Sequence, residues 1–299
     1  MRFLPFLSAA LIAGFAMAAN AAEIKHAMGV ATVPDEPQRV VVLTNEGTEA
    51  LLALGVKPVG AANSWNGDPW YHHISDQMGD VEPVGKESAV NLELIAALEP
   101  DLILGTKLRH EAIFEQLSAI APTVISERLR GDWRENFQLW AKAVNREDAG
   151  EKVLSDFDAR ARKLTDALGE KVNEKVSVIR FMPGHIRIYQ KDSFSGFILE
   201  KIGFKRPENQ DVDSFVLKVG KESIPDMDGD RIFYFTYEPG DGEATKLSED
   251  VLQDPLWQTL SAVKSGNVHE VDDTIWNTAG GVLAARLMLD DIARLYGLE

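Results

Sequence analysis

Three aspartates alternate in the segment KESIPDMDGDRIFYF, at Asp226, Asp228 and Asp230. Acidic side chains at positions one, three and five begin a calcium loop, which also needs glycine at six and glutamate at twelve. Counted from Asp226, those places hold Arg231 and Tyr237, and Gly229 falls two positions early. The spacing argues against calcium and for a solvated turn. A second stretch, NLELIAALEPDLIL, has the same skeleton. Glu93 precedes Asp101 by eight residues and Ile103 by ten, as Glu222 precedes Asp230 and Ile232. In each copy a glutamate opens a short helix, where its charge meets the positive end of the helix, and an aspartate leads into a buried strand. Such a repeat is expected of a chain with two related halves.

Two other chemistries are weighed and set aside. His72 and His73 are adjacent and would point apart on a strand, while His26, His110, His185 and His269 are isolated. A protein that grips a bare metal ion needs several such ligands converging, so direct metal ligation is not expected. Ser195 in DSFSGF lacks the Gly-x-Ser-x-Gly spacing of a nucleophile elbow, which leaves an exported hydrolase as the rival class.

The elements that must position any site alternate along the chain. QRVVVLT, KPVGAA, DLILG and TVI read as buried strands, separated by the helices NEGTEALLALG, NLELIAALEP and RHEAIFEQLSAIAP. Between Trp133 and Leu168 the apolar residues fall at helical spacing, in the stripes Phe137, Trp140, Val144 and Val153, Phe157, Ala161, Leu164. Beyond Gly169 the alternation resumes. KVSVIRF and HIRIYQ form a hairpin about MPG, followed by the helix FSGFILEKIGF, the strands DRIFYFTY and NVHEV, and a closing helix, GGVLAARLMLDDIARLYG. The expected fold is α/β, with two Rossmann-like lobes, residues 22–146 and 170–299, joined by one long helix at 147–169.

Residues 1–21, MRFLPFLSAALIAGFAMAANA, carry one basic residue, an apolar run and a small-residue Ala19-Asn20-Ala21 site. They read as a cleaved signal peptide. With no cysteine available for acylation, the expectation is a soluble periplasmic protein that is not a lipoprotein. A net charge of −16 argues against nucleic acid or an anionic membrane as partner. An anionic ligand would therefore need basic residues gathered locally.

In order and spacing, VPDEPQRVVVLTNEGTEALLALGVKPVGA, VGKESAVNLELIAALEPDLILGTKLRHE, HIRIYQ, FILEKIGF and TIWNTAGG resemble the iron–siderophore substrate-binding proteins of ABC importers. The likeness is to the class III periplasmic binding proteins that take ferric hydroxamate and citrate-type chelates. It implies a monomer, without cofactor, that carries a ferric siderophore or ferric citrate-type chelate to an inner-membrane ABC permease dimer. The iron is then held by the chelate, and Glu93 and Glu222 match the carboxylates that dock on the permease. Haem or cobalamin on the same fold is the alternative cargo. The resemblance also implies a ligand cleft between the two lobes, lined by the loops at the carboxyl ends of the strands, Glu46 and Asn277 among them. Its expected ligand residues are Asn45, Trp65, Lys107 and Arg109 from the first lobe, and Arg180, Arg187, Tyr189, Tyr237 and Trp276 from the second. Guanidinium forks suit carboxylates, and the aromatic residues supply apolar walls with a polar edge.

Overall fold

A computed structural model of the protein describes residues 21–129 and 131–298. The expected leader lies outside the described residues except for Ala21, which opens the first strand. A hairpin of β1 (Ala21–His26) and β2 (Gly29–Pro34), not expected from the sequence, precedes the main sheet of the first lobe. That lobe is a six-stranded sheet of β3 (Val40–Val42), β4 (Gly60–Asn63), β5 (Glu82–Lys86), β6 (Ala89–Val90), β7 (Leu102–Thr106) and β8 (Thr123–Ser126). Its order is β6-β5-β4-β3-β7-β8, parallel except for β5 with β6. β3, β7 and β8 are buried along their whole length, as their unbroken apolar runs require.

The second lobe holds β9 (Val176–Met182), β10 (His185–Tyr189), β11 (Val216–Val219), β12 (Arg231–Thr236) and β13 (Val268–Glu270), in the order β11-β10-β9-β12-β13. β9, β12 and β13 are parallel, and the hairpin arm β10 and the edge strand β11 are antiparallel.

The repeated aspartates have a structural task. Asp101, just before β7, accepts the backbone N–H groups of Gln38 and Arg39 at 2.7 and 2.9 Å, at the entry to β3. Asp230, just before β12, accepts the N–H of Lys175 at 2.7 Å, at the entry to β9. In both lobes the aspartate thus pins the start of the parallel strand beside its own. Asp228 accepts N–H groups from Ser261 and Ala262 at 2.9 and 3.3 Å. Two of the three alternating aspartates are therefore committed to backbone amides, the opposite of a loop poised for calcium. Among the described residues no group of three or more His, Asp or Glu is gathered to hold a metal ion.

The long helix runs from Glu147 to Leu168, 22 residues, or about 33 Å at 1.5 Å per residue. Its buried stripe is Leu154, Phe157, Ala161, Leu164 and Leu168, with Val153 only at the margin. One apolar core, containing Trp140, Phe157, Phe233 and Met288, passes through both lobes. Smaller clusters about Ile179 and Ile186 in the second lobe and Val41 and Ile103 in the first lie to either side. Asp158 on the long helix takes both guanidinium nitrogens of Arg134, at 2.6 and 3.1 Å, and pairs with Lys201 at 3.1 Å. One carboxylate thereby ties a helix of each lobe to the bridge.

A second joint uses a buried acid. Glu49, on the helix Asn45–Ala53, is fully buried. Its Oε2 accepts the N–H groups of Leu283 and Ala284, both at 2.9 Å, in the first turn of the closing helix Val282–Leu295. Its Oε1 meets His73 Nε2 at 2.6 Å. A Cβ on Gly281 would stand 2.6 Å from Glu49 Oε2, so only glycine permits this approach.

Candidate functional site

Between the lobes is a cavity of about 410 Å³. Its second-lobe wall follows from the register of one hairpin. The turn Pro183-Gly184, with Gly184 at φ +72°, sets Arg180 on β9 directly opposite Arg187 on β10. Side chains alternate along a strand, so Ile179, Phe181, Ile186 and Ile188 enter the apolar core while Arg180, Met182, Arg187 and Tyr189 line the cavity. Arg180 donates to Asp273 Oδ2 at 2.7 Å, donates to the Tyr189 hydroxyl at 3.4 Å, and lies 4.7 Å over the ring of Tyr237. Among the described residues no acid pairs with Arg187, whose Nε is buried and unbonded.

The first-lobe wall holds Arg109, 5.7 Å over the ring of Trp65 and 3.9 Å from Glu87 Oε2. Glu87 is fixed by Asn45, which donates its backbone N–H and its Nδ2–H to Oε1 at 2.6 and 2.8 Å. Burial raises the Glu87 pKa against those two bonds. His110 Nδ1 accepts the Thr106 N–H at 3.0 Å, which leaves the proton on Nε2 to reach the Glu87 carbonyl at 3.1 Å. Burial pushes His110 down to about 4, so this neutral tautomer holds at physiological pH. Glu46, in the first turn of the helix after β3, completes this wall. The lobes touch at the rim through Arg128 with Asp192 at 2.5 Å and Asn66 with Asp273 at 3.3 Å.

Six of the nine expected ligand residues line the cavity: Trp65 and Arg109 from the first lobe, and Arg180, Arg187, Tyr189 and Tyr237 from the second. Asn45, Lys107 and Trp276 do not. Asn45 is buried and spends its donors on Glu87. Lys107 turns to Glu127, 3.1 Å away. Trp276 is fully buried, 4.6 Å from the ring of Phe233, and donates to Asp291 at 3.0 Å; its neighbours Asn277 to Gly280 line the cavity instead. Glu87 was missed because VGKESA carries no periodicity that would aim it inward. Glu93 and Glu222 are exposed and stand apart from the cavity. Ser195 is buried in the helix Phe194–Ile202.

Comparison with known proteins bears on this arrangement. A Bacillus subtilis protein named a probable siderophore-binding lipoprotein is 54% identical over 282 residues, covering 91% of this chain and 87% of that protein. The achromobactin-binding periplasmic protein of Dickeya dadantii is 33% identical, covering 88% of this chain and 87% of its own. Among solved structures, Staphylococcus aureus SirA complexed with staphyloferrin B superposes with a TM-score of 0.86 at 34% identity, covering 93% of this chain and 99% of SirA. The first relative overturns one expectation. Because a protein 54% identical to this chain is named a lipoprotein, the expected location as a soluble periplasmic protein that is not a lipoprotein is withdrawn. The physical reason is that an apolar leader directs export without specifying how the exported chain is then held. A sequence profile described as periplasmic binding protein matches residues 40–274, and with these relatives and the two-lobed fold the chain belongs to the periplasmic binding protein family.

Proposed function

We propose that the protein binds an anionic ferric chelate, a siderophore or a citrate-type complex, in the cavity between its lobes and passes it to an ABC permease for iron uptake. The observation that carries this reading is the pair Arg180 and Arg187, set opposite each other on the cavity face, of which Arg180 alone has an acidic partner, Asp273, among the described residues. Like charges directly across a sheet are unfavourable unless an anion joins them. In a site largely removed from water, guanidinium forks hold carboxylates through paired charge-assisted bonds. The names of the two relatives and of SirA's ligand support the same cargo class. Iron is coordinated by the chelate and not by side chains, and binding occurs without turnover. The protein acts as a monomer, with lobes 22–146 and 170–299 set about the bridge 147–169.

Trp65 and Trp133 line the cavity, so intrinsic fluorescence reports occupancy. Titration with the iron complexes of citrate and of staphyloferrin B is expected to quench this fluorescence stoichiometrically. The loaded protein should show broad charge-transfer absorption. A Soret band on the purified protein would instead mark haem as the cargo, and chemical conversion of the chelate would mark an enzyme.

Delivery rests on the exposed carboxylates Glu93 and Glu222, one on each lobe. Glu93→Ala with Glu222→Ala is expected to leave chelate affinity within about twofold, since neither residue lines the cavity. Uptake into cells should fall at least about tenfold, as two charge-assisted contacts are lost. Normal uptake by the double variant would remove the docking role.

A further inference from the structure

One cavity carboxyl has no task in the reading above. Glu46 is more than nine-tenths buried and lines the cavity, and its Oε1 is shielded from water without a hydrogen-bond partner. Asn136 engages the group from the helix Trp133–Ala143. Among the described residues the ion pairs of this region are His73 with Glu49, Arg109 with Glu87, and Arg180 with Asp273, and none includes Glu46. Among the described residues the charges that act on it are acids: Glu87 from the loop after β5, Glu49 on its own helix, and Asp132 at the N-cap of Trp133–Ala143. A buried carboxylate among three others, facing anionic cargo, would be strongly disfavoured. A neutral carboxyl in the same place has one O–H to give.

We propose that Glu46 is a specificity-determining residue of the cavity, whose neutral carboxyl donates a hydrogen bond to a carboxylate or hydroxyl oxygen of the bound chelate. The inference rests on the proposed function, in that the cargo must be anionic and oxygen-rich. It selects chelates that present an oxygen acceptor to the first-lobe wall, opposite the guanidinium pair.

Proton linkage follows. Burial first, reinforced by the neighbouring acids, holds Glu46 well above the usual carboxylate range. Below that raised pKa the group is neutral and can donate; above it, a carboxylate repels the cargo. Bound anion raises the pKa further, so binding takes up a proton between the free-state and bound-state values. The cavity also holds the guanidinium groups of Arg109, Arg180 and Arg187; His110 stays neutral above about 4, and Glu87, also raised by burial, shares the wall.

The test uses the full chain with ferric citrate in excess citrate, from about pH 5 to about pH 9, in wild type and Glu46→Gln. Glutamine imitates the neutral acid and does not titrate. Wild-type affinity is expected to fall by up to about tenfold per pH unit, relative to the glutamine variant, as pH rises past the raised value. The ligand's own titration is common to both and cancels in the ratio. Calorimetry in two buffers of different ionisation enthalpy should record proton uptake by the wild type that the variant lacks. Equal slopes with equal proton uptake would overturn the proposal. So would a wild-type affinity that rises with pH relative to the variant, the sign of an N–H donor facing an ionised Glu46. Absence of ferric citrate binding at every pH, in both proteins, would instead sink the citrate reading and this inference with it. Failure of the inference alone leaves ferric citrate binding in place, at a ratio that is flat with pH or rises with it.

Discussion

Arg187→Ala is expected to lower the affinity for ferric citrate about 100-fold, equivalent to about 2.7 kcal/mol. Of the cavity arginines, Arg180 is paired with Asp273 at 2.7 Å and Arg109 approaches Glu87 at 3.9 Å, whereas Arg187 has no acidic partner among the described residues. Its charge is thus the one least committed within the protein and most available to cargo. Without ligand it stands across the ladder from Arg180, a like-charge pair that costs the empty protein about 0.2–1 kcal/mol. The substitution should therefore weaken binding while leaving the empty protein no less stable, or slightly more so. Arg187→Lys keeps the charge but loses the two-pronged geometry, and should fall between wild type and alanine. Fluorescence titration and thermal melts of the empty proteins read both effects. Unchanged affinity in Arg187→Ala would remove it from the site. A large loss of melting temperature would mean that the side chain is structural.

The second large effect is on stability. Glu49→Ala is expected to destabilise the protein by about 3–5 kcal/mol, the usual cost of breaking a buried charged network from one side. The loss leaves the N–H groups of Leu283 and Ala284 and the Nε2 of His73 without the fully buried carboxylate that accepts from them. It also removes a negative charge from the positive end of the 14-residue closing helix. For a chain of this size the melting temperature should drop by about 6–12 °C. Glu49→Gln retains an acceptor but not the charge, and should lose roughly half as much. A drop of less than about 2 °C for the alanine variant would show that the joint is not a structural tie. Because Glu49 belongs to a first-lobe helix and Leu283 to the closing helix, the alanine variant should also loosen the lobes relative to each other. Small-angle scattering of the empty protein is expected to record a larger radius of gyration.

The two residues contrast in how far the sequence disclosed them. Arg187 was legible because a strand's period of two puts it on the face opposite Ile186 and Ile188, and because a hairpin about MPG needs only local turn chemistry. Glu49 gave no sign, since NEGTEALLALG reads simply as a helix and its partners lie 234 and 235 residues away. Trp276 illustrates the reverse error. Its loop context suggested a cavity wall, yet a large apolar ring next to Phe233 gains more by full burial, and Asp291 satisfies its single donor. Lys107 followed the right strand, but a long flexible ammonium found Glu127 first.

Periodicity and spacing by themselves determined the alternating strands and helices, the long bridge, the two-lobed α/β plan and the Glu-to-Asp repeat. Each of these depends on interactions within a few residues or on a pattern repeated at fixed spacing. The repeat's meaning came only with folding, when Asp101 and Asp230 were found pinning the strand entries at Gln38, Arg39 and Lys175. Tertiary structure decided which of the polar residues near the strand ends stay free for the cavity and which are consumed holding others. Asn45 went to Glu87, Asp273 to Arg180, and Glu46 was left with an empty edge. Such choices turn on distances between segments far apart in the chain, where a rotation of one strand or helix exchanges a ligand contact for a buried support. No local pattern encodes that exchange.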